Sequence, residues 1–341
     1  MRNRHMTEYG QLRGICIALL LGLVLSGCSK ENQRADKMSV FLNMQICTED
    51  QVEGRLYKGL LECGQLSVPE NPDAPEGQKV LLNIIRLPAL SSSPKPDPFF
   101  IFTGGPGQAV TELLPAIGSL TRLINQQRDI VLVDQRGTGK SNPLDCVSDE
   151  SVDYTLDQAA SLALQDAMMR ECLAGFDADL QFYTTPYGMD DINSVRKALG
   201  YNKINLWGAS YGTRAALVYA RRHPDSVRTL TLDSVAPIGI NIPHHALEDS
   251  DNALRALFAV CAASESCNAR FGNLESKTRR LIADLDTNPR SIEIEHPVTQ
   301  VPIKIRVSGQ MIAGLTRLGL YSRDFGPSIP LMLWGHRSPP L

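Results

Sequence analysis

Gly208-Ala209-Ser210-Tyr211-Gly212 places a serine between two glycines, each two positions away. A serine becomes a usable nucleophile when a sharp turn exposes its hydroxyl towards a base. Small residues on either side then let a strand and a helix approach each other closely. The chemistry open to such a serine is acyl transfer. Upstream, Thr103-Gly104-Gly105-Pro106-Gly107-Gln108 forms a second glycine-rich stretch. A turn of that kind can aim a backbone N–H at a developing oxyanion, and the residue after the serine supplies another N–H. One such donor is typically worth about 3 kcal/mol of barrier.

A third stretch, Asp134-Gln135-Arg136-Gly137-Thr138-Gly139-Lys140-Ser141, ends like a phosphate-binding loop. It is not one, because the pattern needs a glycine where Asp134 stands, and a carboxylate there would repel a phosphate. Asp134 and Arg136 read instead as braces of a turn beside the cleft. No CxxC pair and no clustered His/Cys spacing points to a metal site.

These motifs need elements to hold them. Residues 60–69 and 79–88 read as strands joined by a Pro/Gly/Asp-rich turn region. Residues 99–105 and 129–137 are short apolar runs ending in glycine, the look of fully buried parallel strands, with helix-like spacing over 109–126 between them. Helical signals return at 157–174 and 189–199. The strand of residues 204–207, a helix carrying "RAALVYARRH" and a strand at 229–235 follow. This alternation argues an open, mostly parallel α/β sheet. Beyond about residue 240 the character is helical, over 246–263, 271–286 and 308–320, with no convincing parallel strand. The expected organisation is residues 46–239 as an α/β core and 240–341 as a helical cap region.

Arg2, Arg4 and Arg13 precede an apolar run too short for a comfortable membrane span but right for the apolar segment of a signal peptide. It ends in Leu25-Ser26-Gly27-Cys28, which resembles a bacterial lipobox. The sequence therefore predicts a signal peptide over 1–27, a lipidated Cys28, a tether over 28–45, and a place in the bacterial cell envelope, facing the periplasm. Beyond Cys28 the cysteines are Cys47, Cys63, Cys146, Cys172, Cys261 and Cys267. An even set in an exported chain reads as disulfides. Pairing neighbours gives Cys47–Cys63, Cys146–Cys172 and Cys261–Cys267. With a net charge of −3 and scattered basic residues, nucleic acid is not an expected partner.

Together the motifs resemble the α/β-hydrolase superfamily, and within it the proline iminopeptidase and tripeptidyl aminopeptidase branch. Members of that branch carry GGPG, D-x-R-G-x-G-x-S and G-x-S-Y-G in this order. The resemblance extends through residues 198–237 and covers roughly 45–335. It implies a serine peptidase that cleaves short peptides from the N-terminus without metal or organic cofactor. Ser210 would be the nucleophile, with Gly105 and Tyr211 as oxyanion donors. In that branch the acid and histidine follow the helical cap, on the last strands of the sheet.

No strand ending in an acid, followed by a strand and Gly-His, is found here. His223 stands some ~20 Å along the nucleophile helix, out of reach. His244 and His245 open the cap region, and His296 sits in a polar, strand-like segment. His336 mimics the family's Gly-His without its acid-bearing strand, and Asp233 ends the strand after the nucleophile helix. The acid and base therefore stay unassigned, with Asp233 and His336 the residues to weigh for them. The economical expectation is an N-terminal two-thirds of a peptidase-like hydrolase, weak or inactive, with an exposed sheet edge. The rival expectations are an esterase on the same scaffold and a non-catalytic envelope binding protein.

Overall fold

A run of apolar residues as short as Phe99–Phe102 or Ile130–Val133 is stable as a strand only when both of its faces are covered. Both runs lie inside a sheet. The computed structural model describes residues 42–48, 51–52, 59–146 and 155–335. Along the chain the strands are β1 (Gln45–Ile46), β2 (Glu62–Pro69), β3 (Lys79–Leu87), β4 (Phe99–Phe102), β5 (Ile130–Val133), β6 (Ile204–Ala209), β7 (Val227–Asp233), β8 (Arg290–Glu295) and β9 (Pro302–Val307). The helices are α1 (Leu114–Asn125), α2 (Gln158–Gly175), α3 (Thr185–Ala198), α4 (Tyr211–Arg222), α5 (Ile242–Ala263), α6 (Glu265–Phe271), α7 (Leu274–Thr287), α8 (Gly309–Leu320) and α9 (Ile329–Trp334).

The chain divides into two compact units. The first runs to Leu144 and resumes over Asp179–Ala236; the second takes Asp145–Ala178 and everything from Pro237. In the first, the described residues form a seven-stranded sheet in the order β1-β2-β3-β5-β4-β6-β7. Strands β5, β4, β6 and β7 run parallel, and β1, β2 and β3 add antiparallel neighbours at one side. Alternate residues of β5 face opposite sides. Val131 and Val133 pack with Met189 and Ile192 of α3 and Tyr219 of α4, whereas Ile130 and Leu132 pack with Leu114 and Ile117 of α1. Each fully buried side chain of this size contributes roughly 1.5–3 kcal/mol. The core is thus two layers thick around one sheet. Cys47 and Cys63 are bonded across β1 and β2.

The second unit joins helices to a polar hairpin. Asp157 caps α2 by accepting from the Ala160 N–H, and Cys172 near the end of that helix is bonded to Cys146. A disulfide joins Cys261 of α5 to Cys267 of α6, and Phe258, Cys261 and Leu274 form a small core beside Trp334. Ser308 caps α8. Strands β8 and β9 pair antiparallel through six residues each. Among the described residues no helix is long and apolar enough to cross a membrane.

The structure departs from the sequence reading in several places. The region expected to be mainly helical also holds the β8–β9 hairpin, of which the sequence suggested only a polar, strand-like segment around His296, because every residue of "RSIEIE" is exposed. Residues 145–178, placed by sequence within the 46–239 core, group with the second unit instead. The single helix expected over 271–286 is broken at Gly272–Asn273, where Asn273 adopts a left-handed conformation before α7 begins. Helix α3 starts four residues earlier than 189, at a Thr184 N-cap with a proline in its first turn, where that residue's missing N–H costs nothing. The signal peptide, Cys28 and His336 fall outside the described residues.

Candidate active site

Ser210 stands between the end of β6 and the start of α4, with φ 55° and ψ −123°. A non-glycine residue there is strained by about 1–3 kcal/mol and needs its surroundings to hold it. Three bonds do so. The Ser210 N–H donates to the Asp233 carbonyl at 2.9 Å, and the Ser210 carbonyl accepts from the Thr213 N–H at 3.0 Å and from Thr213 Oγ1 at 2.6 Å. Thr213 is wholly buried, and its Oγ1 in turn accepts from the Ala236 N–H. Ser210 itself remains exposed.

The flanking glycines follow from close packing. A Cβ on Gly208 would run into the Gly212 carbonyl of the same turn, and one on Gly212 would run into the Phe102 carbonyl at the end of β4. Gly212 therefore lets α4 sit directly on the strand that leads into the glycine-rich loop. A Cβ on Gly104 would lie 3.2 Å from Ser210 Cβ and 3.5 Å from its Oγ, so this loop is the nucleophile's immediate neighbour. Gly105 and Gly107 have φ of 102° and 104°, which L side chains rarely adopt, and Thr103 Oγ1 closes the loop by donating to the Gln108 carbonyl at 2.8 Å. Tyr211 is the first residue of α4, so its N–H has no acceptor within the helix. Its phenol is bonded to Thr185 Oγ1 at 2.7 Å, and burial raises the phenol above its ordinary pKa despite that bond.

Beside the loop lies a cavity of about 260 Å³ within the first unit, walled by the glycine-rich loop, the turn at 135–138, the start of α3 and Tyr211. A strained serine between a strand and a helix, with a glycine loop against it, is the geometry of one fold, and the α/β hydrolase fold family matches residues 97–259. The chain has the α/β-hydrolase fold. Serine protease Hip1 of Mycobacterium tuberculosis is 29% identical to it over 268 residues, 72% of this chain and 51% of that protein. The tripeptidyl aminopeptidase of Streptomyces coelicolor is 29% identical over 208 residues, covering 57% of this chain and 38% of that protein. The proline iminopeptidase of Neisseria gonorrhoeae is 30% identical over 106 residues, 31% of this chain and 24% of its own length. The chain thus spans about half, or less, of the length of these curated relatives.

Within this fold the Asp134 turn is a brace. One carboxylate oxygen of Asp134 accepts from the Thr111 N–H and Oγ1, the other from Asn83 Nδ2 at 3.0 Å and the Lys140 N–H at 3.2 Å. Ser141 Oγ donates to the Asp134 carbonyl and accepts from the Asn83 N–H. Arg136 reaches further. Its Nε and Nη2 donate to both oxygens of Asp191 at 2.6 and 2.8 Å, Nη1 to the Glu70 and Phe182 carbonyls, and Nη2 to the Pro69 carbonyl. All five N–H groups of the guanidinium are engaged. Its plane also lies over the rings of Tyr183 and Tyr187. Tyr183 donates to Glu70, and burial together with that bond pushes the phenol up to about 12.

The described histidines each have a local role. His223 follows the twelve-residue α4, about 18 Å from Ser210 at ~1.5 Å per residue. Its Nε2 is 2.9 Å from Asp190, and it is the one histidine among the first unit's described residues. In the second unit, the His244 and His245 rings meet edge to face, and His296 Nδ1 accepts from the Val298 and Thr299 N–H groups in the turn of the hairpin. Asp233 lies opposite Ala209 in the β6–β7 register and supports the serine through its carbonyl, while its carboxylate is exposed. Sequence reasoning passed over Glu70, Asp191 and Thr185. Of these only Thr185 had a local signal, the Thr-Thr-Pro start of α3.

Proposed function

We propose that this chain acts by acyl transfer at Ser210, as a serine peptidase of aminopeptidase type that releases short peptides from the N-terminus of its substrates. The observation that carries this reading is the strained, exposed Ser210 with Gly104 against its Oγ. The backbone N–H groups of Gly105 and Tyr211 act as the oxyanion donors, and no cofactor takes part. The names of the curated relatives support peptides as substrates.

Acyl transfer by this chain is weak, because the first unit's described residues hold no imidazole near the serine. An oxyanion site and binding without a working triad retain only about 10³–10⁴-fold catalysis over water. Labelling of the full chain with a fluorophosphonate tests the reading. Slow labelling that disappears in Ser210→Ala is expected, and labelling untouched by that change overturns the assignment. Rapid labelling lost in Asp233→Ala or His336→Ala would assign those residues as acid and base. A folded protein that never labels is a binder rather than an enzyme. Faster turnover of an ester than of a peptide anilide would favour an esterase.

The lipobox-like Leu25–Cys28 carries a second proposal, attachment to the envelope membrane through lipidated Cys28. The full chain expressed in a bacterium should enter the detergent phase of a cloud-point extraction, and Cys28→Ala should return it to the aqueous phase. Equal partitioning of the two would remove the anchor.

A further inference from the structure

We propose that the cavity beside Ser210 is a subsite for one uncharged residue of the peptide substrate, kept open by Gly188. This rests on the peptidase reading above. Drug-sized ligands occupy pockets of roughly 300–1,000 Å³. At about 260 Å³ this cavity suits a single residue rather than a whole peptide. Gly104 and Tyr211 both line it, and these residues neighbour the nucleophile, so its occupant lies close to the reacting carbonyl.

The lining chemistry selects the occupant. Its walls combine tyrosine rings and Leu144 with amide and hydroxyl groups from Gln108 and Thr138, and among the described residues no aspartate or glutamate lines it. An ammonium entering the cavity would lose water without gaining a counter-ion, which is expensive. Its one cation, Arg136, donates all five N–H groups to protein acceptors, two of them to Asp191. It therefore has no donor left for a substrate carboxylate. Uncharged side chains remain.

Gly188 points independently to an occupied cavity. The other glycines of the lining include Gly107 and Gly137, whose φ of 104° and 81° require glycine. Gly188 is different: it is buried in the first turns of α3 with ordinary helical backbone. A Cβ there would meet only Gln135 Oε1, at 3.4 Å, outside its own helix backbone. Glycine inside a helix is less stable than alanine. Neither backbone nor packing demands glycine at 188, and what it supplies is room.

The test is ligand-observed saturation-transfer NMR on the full chain, using N-acetyl-alaninamide, N-acetyl-leucinamide and N-acetyl-lysinamide at millimolar concentration. The two neutral ligands should bind the natural chain and Ser210→Ala alike, with the lysine ligand weaker by about tenfold or more. Gly188→Ala should weaken the neutral ligands about threefold or more while Tm rises by roughly 1–4 °C, and Gly188→Leu should abolish binding. Absence of binding by either neutral ligand, equal binding of lysine, or unchanged binding in a folded Gly188→Leu overturns the proposal. Because the readout needs no acyl transfer, failure of fluorophosphonate labelling leaves it standing. Loss of binding with labelling intact removes the subsite alone.

Discussion

At the scale of single residues, the site depends on atoms that are absent. Gly208 and Gly212 have no room for a Cβ because the first faces the Gly212 carbonyl and the second the Phe102 carbonyl. Alanine must push α4 away from β6 at position 208 and from β4 at position 212, and in either case relax the strained serine. The expected cost is about 1–3 kcal/mol of stability, as for an overpacked core, together with loss of labelling at Ser210. Thermal unfolding and probe labelling of Gly208→Ala and Gly212→Ala check this; natural behaviour in both would mean that the helix can slide off the strand end without consequence. Gly188→Ala provides the contrast, since it gains stability. The glycines of the turn were legible in sequence because their constraint is local, five residues read together. Arg136 was legible as a brace of its turn, but its partner Asp191 was not, because the pairing joins the 135–138 turn to α3 and nothing in either neighbourhood names the other.

At the scale of elements, α3 and α4 are fastened by charge as well as by apolar packing. Asp190 of α3 bonds Arg222 Nε at 2.9 Å and His223 Nε2 at 2.9 Å, both at the C-terminal end of α4, where cations also suit the helix dipole. Lys197 and Tyr187 of α3 also face this cluster. Burial alone would raise Asp190, but its bonds to Arg222 and His223 outweigh burial and hold it below the usual carboxylate range. Burial lowers His223 more than Asp190 raises it. Both folded values lie below the unfolded ones, so both contributions are present at neutral pH and are lost on acidification. The histidine contribution fades as pH falls from about 6.5 through its lowered value, and the aspartate contribution fades below about pH 4. Asp190→Asn should therefore destabilise the protein from neutral pH down to about pH 4, with the difference from the natural chain collapsing below that. Urea midpoints across this range measure it, and a difference undiminished in strong acid would disconnect it from the carboxylate. Helix α4 itself was legible from its apolar spacing, and the buried strands from unbroken apolar runs such as Ile130–Val133. The β8–β9 hairpin was not, since β8 exposes every residue and so has no apolar face to read.

At the scale of the whole molecule, the succession of strands along the chain was readable while their order in the sheet and the grouping of segments were not. Within residues 145–178 helix α2 buries none of its side chains, and only contacts place the segment with the residues after Pro237. The sheet also ends in a way that its sequence predicts. Among the described residues β7 pairs with β6 alone, and its Thr229, Thr231 and Asp233 are exposed. A strand with unpaired N–H and C=O groups along one side is a template for another strand. Natural edges are blunted by lysine, proline or bulges, and β7 has Arg228 as its one cation and no proline. The full chain in detergent should therefore self-associate as its concentration rises, through edge pairing at β7. Introducing charge by Thr229→Lys and Thr231→Lys should shift sedimentation velocity profiles towards the monomer, with a small loss of Tm from loss of the bond that Thr229 Oγ1 donates to Asn205 Oδ1 at 2.6 Å. A natural chain that stays monomeric at every concentration would mean that the edge is already covered. Association unchanged by the two lysines would move the contact to another surface.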